Sequence, residues 1–194
     1  MITRIAVSVF ILLIAIATAG CSASLFKVKP ITELPPLGDK VRSADAGGVT
    51  VRVAPLLTDE ESQELFEANL PLAGVVPVRT ELAHQSGLPV EVKKARFRLT
   101  DNEGRVWKLL TAKQAISSIL SANGVFLYNP HSRKQFEKEF SAYALDLKTP
   151  LSTTDSRRGG FLFFQSPDKR PLESNQKLTL AIERLPQSAS ITLN

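Results

Sequence analysis

The chain has one cysteine, Cys21, in 194 residues, so no intramolecular disulfide and no C-x-x-C metal or redox pair can form. Histidine occurs twice, at His84 and His131, which excludes an H-E-x-x-H metal site. No G-x-S-x-G nucleophile turn is present either. The glycines of "RRGGF" are followed by neither a helix nor a lysine–serine pair, so they make no phosphate loop. There is no internal repeat and no low-complexity tract. The formal charge of +5 is a mild basic bias, short of a nucleic-acid-binding composition.

What the chain does have begins at its start. Arg4 is followed by an uncharged, largely apolar run from Ile5 to Ala19. A short basic start, an apolar stretch and small residues are the pattern of an export signal. The run is shorter than the roughly twenty residues that cross a bilayer, and no stop-transfer charges follow it. Within "TAGC", Ala19-Gly20-Cys21 resembles the bacterial lipobox, although Thr18 stands where that pattern prefers leucine. The resemblance implies a signal peptide over residues 1–20, with Cys21 becoming the diacylated and N-acylated first residue. An unpaired thiol is otherwise a liability in an oxidising compartment. Two or three acyl chains hold a protein firmly, at about 0.8 kcal/mol per buried CH₂. Ser22 follows the cysteine where aspartate would imply inner-membrane retention. The expected location in a two-membraned bacterium is therefore the outer membrane, facing the periplasm. Loss of Arg4 with the signal lowers the formal charge from +5 to +4.

Residues 21–47 carry Pro30, Pro35, Pro36, Gly38 and Gly47 with little periodicity, and are expected to form a tether. A flexible segment of that length reaches about 25–30 Å. Its "SLFKVKPI" stretch either lies on the membrane or packs on the domain. Residues 48–194 are long enough for one domain with its own core. Alternation aligns Val49, Val51 and Val53, then Val76, Val78, Thr80 and Leu82, then Leu178, Leu180 and Ile182. A change of phase at Lys93-Lys94 predicts a bulge before Ala95, Phe97 and Leu99. "DNEG" predicts a hairpin into "RVWKLL", and "GGFLFFQS" and "SITL" complete about seven strands. Capping-box spacings at Thr58/Glu61, Thr111/Gln114 and Ser132/Gln135 predict helices between them. The expected class is mainly β, an antiparallel immunoglobulin-like sandwich with two or three short helices inserted between strands.

"LFEANLPLAGVVPVRTEL" and the Gly-Gly-Phe-Leu-Phe-Phe stretch are similar to segments of a family of uncharacterised bacterial lipoproteins. That resemblance implies an immunoglobulin-like β-sandwich without enzyme activity.

The remaining chemistry points to binding. His84 and His131 are expected at the surface or as caps. Asp59, Glu60 and Glu61 suit the positive end of a helix, and Asp101 and Glu103 suit a turn. No catalytic set, metal site or cofactor is expected. Lys94, Arg96 and Arg98 share a strand face, joined by Arg105 and Lys108 on the next strand. This face and Arg157-Arg158 are the candidate contacts for a partner. The expected function is a lipid-anchored periplasmic binding or scaffolding module. Its partners are the membrane, through Cys21, and an envelope protein. The alternative is a carrier or sensor of an apolar ligand, with the stripe from Phe136 to Leu147 as a lid.

Overall fold

Valine at every second position sends Val49, Val51 and Val53 to one side of an extended segment, and all three are fully buried. The computed structural model describes residues 26–38, 40–85, 88–125, 130–173 and 176–194. Cys21 and the signal segment lie outside the described residues. The strands are β1 (Arg42–Asp45), β2 (Val49–Pro55), β3 (Val75–His84), β4 (Arg96–Asp101), β5 (Val106–Leu110), β6 (Arg157–Gln165), β7 (Leu178–Glu183) and β8 (Ala189–Thr192). The helices are α1 (Asp59–Phe66), α2 (Ala112–Ala122) and α3 (Pro130–Ser141).

The sheet order is β1-β2-β3-β6-β5-β4-β7-β8, antiparallel at every step. The mainly β, antiparallel class is as expected. Its strands, however, run as one hydrogen-bonded series, where a sandwich has two separate sheets. β5 is the cause. Its first residues pair with β4 (Leu99 opposite Trp107), and its later ones pair with β6 (Leu110 opposite Phe163). The strand thereby turns the sheet from one half to the other. At the far ends β1 and β8 meet, and Gln187 N donates to Ala46 O at 3.2 Å. The result is a nearly closed barrel, which leaves little free edge.

Two cores follow from the two faces of this sheet. The inner core lies between the halves and holds Val51, Val78, Leu99, Trp107, Phe164, Leu180 and Ile182 among others. The outer core lies between the barrel's exterior and the helices. Strand alternation divides β6 between them. Leu162 and Phe164 enter the inner core, and Phe161 and Phe163 enter the outer one. There Phe66 of α1 meets Phe140, Tyr143 and Phe161 with ring centroids 5.2–5.6 Å apart. The proposed lid stripe is thus divided. Phe136, Phe140 and Tyr143 fill the outer core, while Leu147 packs against the inner one.

The helix starts follow their caps. Thr58 and Thr111 each accept from the backbone N–H three residues on, and Glu61 and Gln114 close the boxes. Gly124, with φ 67°, ends α2 as its sequence suggests. Three expectations change. α3 begins at Pro130, two residues before Ser132, because proline suits a first helical turn and Ser132 is buried inside it. Lys93-Lys94 form a turn closed by Ala95 N to Val92 O at 3.0 Å, in place of a bulge. The domain also extends well into the segment assigned to a tether. Arg42–Asp45 is a sheet strand, and Ala46 is fully buried. Phe26 stacks edge-on against Phe136 at 5.3 Å, Lys29 N donates to Leu65 O at 2.9 Å, and Val28 is 9% exposed. Of the two readings left open for "SLFKVKPI", its described residues take the second and pack on the domain.

Gly160 is required by a close approach. A Cβ there would lie 2.5 Å from Leu145 Cα. Without it, the chain after α3 runs alongside β6, with Phe161 N donating to Tyr143 O at 2.6 Å and Leu145 N to Phe161 O at 3.0 Å.

Candidate functional site

The basic residues of β4 sit as alternation requires: Phe97 and Leu99 point inward, and Arg96 and Arg98 outward. Lys94 is exposed in the preceding turn. Arg96 stands opposite Glu183 of β7, and Arg98 Nη2 approaches that carboxylate at 3.8 Å. The face is therefore partly neutralised. Arg105 is not a free member of it. Its Nε donates to Asp101 Oδ2 at 2.9 Å and also lies 3.2 Å from Glu103.

Asp101 is the most elaborately satisfied carboxylate. It accepts from Arg105 N and Glu103 N, from Arg105 Nε, and from Trp107 Nε1 at 3.3 Å. Burial alone would raise its pKa, but these donors outweigh burial and hold the carboxyl below the usual aspartate range. The hairpin turn that the sequence suggested is thus clamped from within.

Arg157 and Arg158 part company. Arg157 is exposed and pairs with Glu81 at 3.5 Å, which Arg52 also reaches at 3.4 Å. Arg158 points the other way. Its side chain is only 9% exposed, and it donates to Thr149 O, Pro150 O, Asp146 O and the Asp155 carboxylate. It clamps the 146–155 loop, so it is no longer a candidate contact. β5 stands between β6 and β4, so the arginines of β6 and the basic residues of β4 do not form one patch.

His84, expected at the surface or as a cap, is 5% exposed and so is not at the surface. Its Nδ1 lies 3.1 Å from Gly48 O and its Nε2 2.6 Å from Leu88 O. It joins the start of β2 to the loop after β3. His131 is exposed in the first turn of α3. Among the described residues, no three His, Cys, Asp or Glu side chains gather to hold a metal. No described helix is long and apolar enough to cross a membrane.

Two surface clefts were not anticipated. One, of about 420 Å³, lies beneath Pro35–Gly38 and beside α1, with Leu56 and Leu65 on its walls. Arg79 Nη1 donates across it to Pro35 O at 2.5 Å, and Lys40 pairs with Glu61 at 2.5 Å. Burial pushes the Arg79 guanidinium down, opposed by Glu81 and Tyr143. The other cleft has a mixed polar and apolar lining and lies where α2 crosses β5 and β6, in two adjoining lobes of about 370 and 310 Å³. Its centre is Gln165, which stands opposite Lys108 in the β5–β6 register. Local pattern hides this juxtaposition, because it depends on strands far apart in sequence. The serines of "AISSILSANG" were its only local trace.

No protein-family model matches the chain, and no curated protein and no solved structure matches it at a significant level.

Proposed function

We propose that this protein is a lipid-anchored, non-catalytic binding or scaffolding module of the bacterial envelope, held at the periplasmic side of the outer membrane by acyl chains on Cys21. The observation that carries the reading furthest is that the chain is already engaged with its own domain at the first described residues. Phe26, Val28 and Lys29 are already seated on the outer core. Five residue steps separate Phe26 from Cys21, and a fully extended chain covers at most about 18 Å in five steps. An acylated Cys21 therefore holds the domain close against the membrane rather than on a long tether.

The partner is an envelope protein met by the exposed face of Lys94, Arg96 and Arg98, with Arg157 as a separate candidate contact. Charges of this kind act mainly on encounter rate and orientation. The layout of two opposed sheet halves keeps the proposal of an immunoglobulin-like domain, with β5 as the shared strand. The inner core is filled by side chains, which supports a binding module over a carrier with a ligand between the sheet halves.

The test is Cys21→Ala in cells of the source organism, followed by fractionation and intact-mass measurement. The expected outcome is loss of the acyl mass, with uncleaved precursor or soluble protein. A variant of mature size that still fractionates with outer membranes like the wild type would refute the anchor.

A further inference from the structure

At one end of the outer core the apolar layer gives way to a polar row. On the helix side of the sheet, Phe163 and Leu110 stand opposite each other in the outer core, and two residues along Gln165 stands opposite Lys108. Directly opposed residues share a face with Cβ atoms about 5 Å apart. α2 supplies the roof. It buries Ala115, Ile116, Ile119 and Leu120 and turns the flank bearing Gln114, Ser118 and Ser121 to the cleft.

Gln165 is 7% exposed, and its amide is oriented by two bonds, Nε2 to Ser118 Oγ at 3.1 Å and to Ala73 O at 3.4 Å. Ala73 O can only accept, which fixes the amide with Oε1 as the free end. Oε1 accepts no hydrogen bond among the described residues, yet it is not sealed from solvent, so it opens on the cleft. A carbonyl held in this orientation can accept from a ligand or from water.

The cleft carries two ammonium groups, Lys108 and Lys169, and among the described residues no acidic side chain lines it. Neither lysine forms an ion pair among the described residues; Asp168, next to Lys169, is taken by Arg105 at 3.6 Å. Lys169 is also held in place by its backbone. Its φ of 55° is uncommon for a residue with a side chain, and its N–H donates to Ser166 O at 3.1 Å. Ser166 N donates to Gly74 O at 2.8 Å, and a Cβ on Gly74 would lie 2.7 Å from Arg170 O. The turn that presents Lys169 is therefore locked against the sheet. Leu72 and Val106, 47% and 56% exposed, add apolar surface to the lobes.

We propose that this cleft is a binding site for an acidic saccharide, with its carboxylate between Lys108 and Lys169 and a ring hydroxyl or N-acyl N–H donating to Gln165 Oε1. A simple carboxylate would satisfy the lysines and leave Oε1 unpaired. A neutral sugar would do the reverse. The Ser118 hydroxyl, able to donate and accept, suits a ring oxygen, and the C–H face of a pyranose suits Leu72 or Val106. The inference goes beyond the membrane anchor and holds whether or not Cys21 is acylated.

The test uses the full chain in detergent, with saturation-transfer NMR and titration of D-glucuronic acid, and with D-glucose and acetate as comparisons. Glucuronate is expected to bind about tenfold more tightly than either, the effect of adding a charge-assisted bond. Lys169→Ala, at an exposed position, is expected to weaken glucuronate about tenfold and leave the thermal melt unchanged. Gln165→Leu should remove the preference for glucuronate over acetate. If that variant does not fold, Gln165→Met, closer in shape and likewise without the acceptor oxygen, provides the same readout. Equal binding of acetate and glucuronate, no saturation transfer to glucuronate, or an unaltered affinity in Lys169→Ala would each overturn the proposal.

Discussion

The inner core is built mainly of valine, leucine and isoleucine delivered by strand alternation, with Trp107 and Phe164 among them. The outer core is built of rings brought from four separate stretches: Phe26, Phe66, the Phe136–Tyr143 segment and the Phe161–Phe163 pair. The first needs only neighbouring strands in register. The second needs the helices, the chain after α3 and the N-terminal segment all in place. This difference in assembly has a functional side. The N-terminal segment is part of the outer core, so whatever holds the N-terminus also holds that core.

The comparison is sharpest under truncation of one residue from each. Phe66 touches four rings, and Phe66→Ala is expected to cost about 3–5 kcal/mol. Leu180→Ala in the inner core is expected to cost about 2–5 kcal/mol, since its site is fully buried. Urea unfolding reads both. Only the Phe66 variant should also release the N-terminal segment, seen as faster amide exchange at Lys29, whose N–H is bonded to Leu65 O. Release in the Leu180 variant alone would reverse the assignment of the two cores.

A smaller effect is expected at the hairpin that closes the inner core. Asp101→Ala leaves the Trp107 Nε1 and Arg105 N donors without their carboxylate, at a cost of about 1–3 kcal/mol. The folded state holds this carboxyl below its usual range. Its contribution is therefore full above the ordinary aspartate pKa of about 4 and is lost as pH falls below that value. Wild type should lose more stability than Asp101→Asn between neutrality and about pH 3. Parallel stability–pH curves would contradict the account of Asp101.

The inner core was legible in the sequence because alternation is local. Val49 to Val53, Val76 to Leu82 and Leu178 to Ile182 all lie on the faces their spacing implies. The helix starts at Thr58 and Thr111 were legible for the same reason, since a capping box spans four residues. β1 was not, because Arg42–Asp45 is largely exposed and so carries no alternation. The pairing of Gln165 with Lys108 follows from the path of β5, which bends from one half of the barrel to the other, and no short window contains it. Arg157 and Arg158 looked alike as neighbours, and the pleat then sent one to solvent and the other beneath a loop.

The smallest expected effect on stability is at the candidate partner face. Reversing Lys94, Arg96 and Arg98 to Glu touches exposed positions and one long ion pair, so the thermal melt should hardly change. Association with an acidic envelope partner should slow sharply and lose salt dependence, measured by pull-down and binding kinetics at two ionic strengths. Unchanged partner recovery with an unchanged melt would reduce this strip to an ordinary solvated face.

The central proposal is that the chain is seated on its domain by Phe26 and that acyl chains on Cys21 would therefore keep the domain against the bilayer. Neutron reflectometry of the acylated protein on a supported bilayer measures that separation directly. The account predicts a protein layer beginning within about 18 Å of the headgroups, the extended length of five residues. A hydrated gap of about 25–30 Å, the reach of a free segment of some 25 residues, would contradict it.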